Sequence, residues 1–409
     1  MKDYSDYTGC EKINSLLVAT MLIAPALTGS LSHGLGLSQG ANAYILILLL
    51  VLFLIRLIIS KKSDEIYEIN LFSGIFIFMV TVLCIGTFVS KPEQSNYSLI
   101  QLLFYAIMPI ICINLNFKTE YVLRYALYLS LITILGGEKW FEYQYQFMNQ
   151  ANMGNIYPIV TLLIISFFHF KHYRKTSGIL IKICYLYNLY MLIRVVMVAN
   201  RGALLAILFG AFIVFIYSFN SDGTMKTLRS KSLFILLFAA IAVWAIISNL
   251  SVVLQWVEDI CQKTFNFVPS TIIKMQRYIE FEDISNGRND INEILYKAIA
   301  ESPLWGHGMC TFSHYTNGQY PFPHNFILQY LFEGGILFAV APVYFALRSL
   351  ISTILGTEKD KSRYIMMAML TCQCFPKLLL SSDAWRGTAV WMMIVYFTII
   401  SSKKKEHKY

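Results

Sequence analysis

The sequence predicts an all-α, polytopic integral membrane protein with about twelve transmembrane helices and one large loop outside the membrane. Three observations predict it. Of 409 residues, 56% are hydrophobic and only 14% charged, with a mean hydropathy of +0.56, which does not suit a surface facing water and excludes a water-soluble enzyme. Twelve stretches are apolar over the roughly 20 residues that a helix needs to cross about 30 Å of hydrocarbon. The basic residues alternate in density from one connection to the next.

In chain order the stretches are 13–30, 43–60, 70–90, 98–116, 121–136, 154–168, 177–198, 201–218, 232–254, 324–347, 364–382 and 385–400. The first follows a mixed-charge start and has no small-residue cleavage site near Ser30 to Ser32, so it reads as a retained span and not a signal peptide. If the chain starts inside, the inner connections hold Arg56, Lys61 and Lys62; Lys118 and Arg124; Lys171, Arg174 and Lys175; Lys226, Arg229 and Lys231; and Arg348, Lys359, Lys361 and Arg363. Lys2 and Lys12 precede the first span, and Lys403, Lys404, Lys405 and Lys408 follow the last. The short outer loops hold only Lys91, Lys139, Arg201 and Arg386. This asymmetry puts both termini in the cytoplasm. The net charge of +9 would elsewhere suit nucleic acid, but here it reads as anchorage at a membrane surface, with membrane lipids and no nucleic acid as partner.

One connection is long. The expected organisation is residues 1–254 with nine spans, 255–323 as an outer loop or cap, and 324–409 with three spans and a basic tail. A loop of that size is normally functional. Ile291, Ile294, Leu295, Ala298 and Ile299 recur at helical spacing and Pro303 ends the run, so the cap carries an amphipathic helix. Gly306-His307-Gly308 reads as a turn leading back to the membrane. No internal repeat stands out, which weighs against a transporter built from repeated halves.

The cysteines carry little. Cys372 and Cys374 are two apart on a helix and face different sides. Cys261 and Cys310 share the outer loop, where oxidising conditions would permit a disulfide. His307, His314 and His324 are irregularly spaced with few acids nearby, so no metal is expected.

Three sites place charge where membrane meets the outside. Ala199-Asn200-Arg201-Gly202 is a tight turn between spans; an interfacial Arg is commonly a snorkelling anchor, but the outer side is otherwise nearly bare of basic residues. Ser285-Asn286-Gly287-Arg288 opens the cap helix, where an Arg opposes the helix dipole and a bound anion would gain from both; a solvated loop Arg is the simpler reading. Pro321-Phe322-Pro323-His324-Asn325 opens the tenth span, with Asn325, Gln329 and Glu333 as a polar stripe down an apolar helix. A neutral His at a helix N-terminus can act as a base near neutral pH. Lys274, Arg277, Arg194 and Arg386 would add positive field, and Lys377, inside an apolar span, would need a partner such as Asp383.

Asn200-Arg201-Gly202-Ala203-Leu204-Leu205 resembles the arginine–glycine motif of the O-antigen ligase and O-antigen polymerase superfamily. Gly287-Arg288, then a helix, then Ser302-Pro303-Leu304-Trp305-Gly306-His307-Gly308 resembles its outer-loop pattern. Pro323-His324-Asn325 through Glu333-Gly334-Gly335 resembles its most recognisable signature. The three occur in that family's order. The resemblance implies a metal-independent, membrane-embedded glycosyltransferase in the bacterial inner membrane with a periplasmic cap and no cofactor. Its donor and acceptor would be undecaprenyl-diphosphate-linked oligosaccharides, and a chain-length regulator and a flippase would be its partners. On this chain His324, Arg288 and Arg201 would be catalytic, and Arg201, Arg288, Arg277 and Asn325 would bind substrate. Polymerase is favoured over ligase on the Gly306-His307-Gly308 turn, the full His324-Asn325 to Gly335 motif and the Lys377 to Ser382 end of the eleventh span. A lipid-linked oligosaccharide flippase is the rival from another class.

Overall fold

The computed structural model describes residues 9–36, 51–53, 55–56, 70–91, 93, 95–136, 153–198, 201–220, 249–266, 268, 272–273, 275–276, 288–380 and 383–406. Among these the regular structure is helical, with no strand. The principal α-helices are α1 (Gly9–Gly34), α2 (Leu71–Ser90), α3 (Ser95–Ile100), α4 (Met108–Ile113), α5 (Thr119–Ser130), α6 (Met153–Tyr173), α7 (Ile179–Val198), α8 (Arg201–Asn220), α9 (Leu250–Phe265), α10 (Arg288–Glu301), α11 (Phe312–Tyr315), α12 (Phe326–Leu355), α13 (Lys361–Leu380) and α14 (Thr388–Glu406). Glu11–Ser32 within α1, α2 and α12 are each long and apolar enough to cross a membrane; Ser98–Ile113, Ile159–Tyr173, Leu205–Tyr217 and Thr388–Ser401 are shorter apolar helices. So three membrane-length helices stand among the described residues, against the twelve spans that hydropathy suggests. The expected spans at 43–60 and 232–254 lie largely outside the described residues.

The helices sort into central and peripheral ones by which faces they bury. In α1, 83% of the membrane-length window is buried, against 28% in α2. On α2 the buried side carries Ser73, Phe76, Val80, Cys84 and Thr87. The exposed side carries Leu71, Ile75, Phe78, Val82, Ile85 and Val89 at helical spacing. In water the apolar stripe would turn inward; here two hydroxyls point in and six apolar residues point out, which marks the surrounding solvent as lipid. By contrast α13 and α14 are buried on all sides through Ile365–Leu370 and Trp391–Val395. They pack on one another and on α12, with α1 against α5 and α6.

Prolines interrupt these helices, and neighbouring side chains take up what they release. Pro25 has no N–H to give Met21 O, the carbonyl one turn back. Thr388 Oγ at the start of α14 donates to Met21 O at 2.7 Å, and Gln373 Nε2 on α13 donates to Leu22 O at 2.6 Å. The expected span 98–116 is similarly not one regular helix: a π-helical stretch, Gln101–Ile107, joins α3 to α4 just ahead of Pro109.

The cap helix α10 forms where the apolar spacing predicts it. Ile291, Leu295 and Ala298 are buried against Phe312 and Phe332, with Ile294 and Ile299 packed beside them; Glu293 and Lys297 pair at 2.7 Å on the outer face. The expected boundary between membrane and cap at 254/255 falls inside α9, which runs on to Phe265. No disulfide joins Cys261 and Cys310.

The helix α12 is broken at Gly335 (φ 62°, ψ −170°), a conformation that glycine alone adopts readily. An unbroken helix would bond Ile336 N–H to Phe332 O and Leu337 N–H to Glu333 O. Instead the 303–308 segment is stitched into the gap. His307 and Gly308 donate to Phe332 O and Glu333 O at 2.7 and 2.8 Å, while Ile336 and Leu337 donate to Pro303 O and Leu304 O at 2.9 and 3.4 Å. Glycine on both sides makes the approach possible. A Cβ on Gly306 (φ 69°) would lie 2.5 Å from the Glu333 carbonyl, and one on Gly335 would collide with the Leu304 carbonyl. The turn itself lies at 303–305, ahead of the expected Gly306-His307-Gly308 segment, which bends at His307 and is part of α12's own hydrogen bonding.

Candidate functional site

The site is built around the N-terminal half of α12. Asn325, in extended conformation, caps the helix: its side-chain oxygen accepts from Ile327 N at 3.0 Å and Leu328 N at 3.3 Å. Asn325 thus leaves the expected polar stripe, because capping turns its carbonyl to the helix end. His324 lies one residue outside the cap and not at the first helical turn. Its backbone is left-handed at φ 60°, an unusual conformation for a residue with a Cβ, and one that collects at functional corners. The half-buried imidazole packs against the Phe322 ring, 4.4 Å between centroids.

The remainder of the stripe, Gln329 and Glu333, is fully buried and turned towards the 383–387 connection. Gln329 Nε2 donates to Glu333 Oε1 at 2.9 Å and to Asp383 Oδ1 at 2.7 Å, and Gln329 Oε1 accepts from Ala384 N at 2.9 Å. Trp385 Nε1 donates to the other oxygen of Glu333, and Trp385 N to Asp383 Oδ1 at 3.0 Å. Tyr330, Phe338 and Trp391 surround the Trp385 indole within 5.6–6.1 Å. An isolated carboxylate would be costly here; each acid is instead hydrogen-bonded on several sides. Sequence reasoning offered Asp383 only as a partner for Lys377, whose side chain lies outside the described residues. The sequence signal for its role was Asp383 two residues before Trp385, an N-cap spacing.

His307 is held by a bond between Nε2 and Ala298 O at 2.7 Å, and its ring stacks on Phe332, 4.8 Å between centroids. It thereby fixes the 303–308 segment to both α10 and α12. His314 faces Glu93 at 3.5 Å. Among the described residues no group of three His, Cys, Asp or Glu is arranged to hold a metal.

The two signature arginines each open a helix that touches α12. Arg201 is the first residue of α8 and Arg288 the first of α10, and both helices contact α12. Asp290 stands in the first turn of α10, so an acidic side chain already complements the dipole that Arg288 opposes. The side chains of Arg201, Arg288 and Arg386, and all of Lys274 and Arg277, lie outside the described residues. Arg194 is half-buried on α7.

The fold and these placements can be set beside known sequences. Residues 186–342 match the sequence model of the O-antigen ligase family. The match spans less than half of the chain, running from α7 through the break in α12. It includes Arg201, Arg288, Arg277, His324, Asn325, Glu333 and Gly335, and it ends before Asp383. No curated protein matches the chain.

Proposed function

We propose that this chain is a membrane-embedded glycosyltransferase that joins lipid-linked glycan units, an O-antigen or related surface-polysaccharide polymerase. The observation that carries the reading is the O-antigen ligase family match over residues 186–342, which takes in all three ordered motifs and the stitched break between them. Apolar helices of membrane-spanning length support the same setting.

In this reading the donor is a glycan on undecaprenyl diphosphate and the acceptor a second lipid-linked repeat unit. The acceptor hydroxyl attacks the anomeric carbon and His324 takes its proton. A new carbon–oxygen bond forms as the bond to the diphosphate oxygen breaks from the opposite face, inverting the centre. The leaving diphosphate carries the electron pair away, and Arg201 and Arg288, assisted by Arg277, offset its growing charge with paired N–H donors. A diphosphate leaves readily, so no second acid is needed to expel it, in contrast to glycoside hydrolysis. Asn325 fixes the helix end from which His324 projects. The enzyme works at the periplasmic face of the inner membrane, both termini cytoplasmic, beside a flippase and a chain-length regulator.

A second reading, transfer of finished glycan to lipid A core, is favoured by the description of the matching family as a ligase. Deleting the protein separates the two. Surface core bearing a single repeat unit means that polymerisation was lost; bare core with lipid-linked polymer accumulating means that ligation was lost. His324→Ala and Arg288→Ala are expected to abolish the activity with normal membrane insertion, and wild-type polymer length in either variant overturns the assigned roles.

A further inference from the structure

At the end of α12 away from the cap, three helices bring cations and aromatic rings together in a way that the glycosyl-transfer reading leaves unused. Tyr364 on α13 donates its hydroxyl to Thr353 O near the C-terminus of α12 at 3.0 Å. Thr353 lies 18 residues beyond the break at Gly335, about 27 Å of helix at 1.5 Å per residue, close to the hydrocarbon thickness of a bilayer. Tyr217, at the end of α8, stacks on Tyr364 with 5.4 Å between centroids and shares a 2.6 Å hydrogen bond with His172 Nε2. Lys171 Nζ sits over the Tyr217 ring, 4.8 Å from its centroid. Lys361, the first residue of α13, is close enough for its charge to act on His172, and the charge of Lys171 acts on both.

Lys171, beside a histidine, is thus held on a buried tyrosine, and Lys361 is close enough for the two lysines to repel one another. Among the described residues neither lysine has an ion pair. The acids that precede Lys361 in the chain make bonds of their own. Asp360 caps α13 by accepting from Arg363 N at 2.8 Å, Glu358 accepts from Asp360 N at 3.0 Å, and both act on Tyr396 of α14. Some of the positive charge suits its location: Lys171 and His172 are in the last turn of α6, where cations complement the dipole. Lys361 opens a helix, where a cation does not, so helix dipoles leave the cluster unexplained.

We propose that the notch formed by Lys171, His172, Tyr217 and Lys361 binds the phosphate of an anionic phospholipid in the leaflet opposite the cap. In this reading the ammonium groups sit at headgroup depth, the Tyr217 ring beneath Lys171 suits the interface, and the exposed Phe170 on α6 and Phe215 on α8 leave acyl chains a surface to lie on. Basic notches between membrane helices on this side are suited to such headgroups.

The test uses the purified full-length protein in neutral detergent, read by native mass spectrometry and by thermal unfolding. Titrated phosphatidylglycerol is expected to bind and raise the midpoint, with phosphatidylcholine doing neither. Lys171→Gln with Lys361→Gln is expected to bind phosphatidylglycerol about thirty-fold more weakly, on a scale of about a fivefold loss per lysine. Equal binding of the two lipids by the wild type, or unchanged affinity in the double variant, overturns the proposal. If the double variant does not fold, the lipid comparison on the wild type decides alone. Inorganic phosphate at millimolar concentration gives no shift if the ligand is a lipid; a shift equal to that of phosphatidylglycerol assigns the notch to a soluble anion and overturns the lipid. None of these outcomes depends on whether His324 and the signature arginines transfer glycans.

Discussion

Gln329 donates from a single amide nitrogen to two carboxylates, Glu333 at 2.9 Å and Asp383 at 2.7 Å. One neutral side chain thereby ties α12 to the connection ahead of α14, and two buried acids share its donor group. Glu333→Ala strands the Trp385 indole N–H and one Gln329 N–H in a dry site. At about 1–3 kcal/mol per buried donor left without an acceptor, the variant is expected to lose roughly 2–6 kcal/mol, read as a lowered thermal midpoint in detergent. A double-mutant cycle between Gln329→Leu and Asp383→Asn is expected to show coupling of at least about 1 kcal/mol; additive losses would mean that the two side chains act independently.

Gly335→Ala is expected to be among the most damaging single-methyl additions. The residue holds a conformation that side chains resist, and the new Cβ collides with the Leu304 backbone. A cost of at least about 2 kcal/mol follows from strain alone. Gly306→Ala carries a comparable cost, since its Cβ meets the Glu333 carbonyl. The controls are Gly74→Ala and Gly86→Ala on α2, where a Cβ meets nothing within 4 Å. These are expected to be neutral or stabilising by up to about 1 kcal/mol. Equal losses in all four would show that the stitched break contributes nothing special.

Asn325→Ala removes a cap that satisfies two backbone N–H groups and is expected to cost about 1 kcal/mol. Asn325→Asp keeps the acceptor and is expected to recover that stability. The comparison separates the cap from chemistry. If glycan transfer follows stability across the two variants, Asn325 acts by holding the His324 corner; if Asn325→Asp is stable but inactive, its amide nitrogen meets substrate.

The fold was legible where one periodicity dominates. Ile291, Leu295 and Ala298 announced α10, and the apolar runs announced α1, α2 and α12 with boundaries within several residues. What escaped was exchange between segments. Nothing in Pro303-Leu304 or in Ile336-Leu337 alone says that these backbones bond to each other; the glycines at 306 and 335 mark close approach without naming the partner. Likewise Asp383 reads as a stray acid beside an apolar span until Gln329, 54 residues earlier, is placed against it. The motif at 323–335 was visible as a polar stripe, but its division into a cap, a buried pair and a glycine break depends on local geometry that spacing does not encode.

Pro25 offers a fourth test. Thr388→Val leaves Met21 O without the hydroxyl that replaces the missing proline N–H, at an expected cost of about 1–2 kcal/mol. In a Pro25→Ala background the restored N–H can take that carbonyl, so the same Thr388→Val change is expected to cost less than half as much. An undiminished cost would show that Thr388 acts through packing and not through this bond.

The four hydrogen bonds at the Gly335 break also bear on how the chain is assembled in the cell. Residues 303–308 leave the ribosome before α12. Until they dock, the two carbonyls and two amides of α12 can bond only to one another, as an unbroken helix through Gly335. The 303–308 segment therefore acts as the template on which α12 opens at Gly335. Loss of the 303–308 segment is expected to let α12 close through Gly335 as a continuous helix, which shifts its two halves relative to each other.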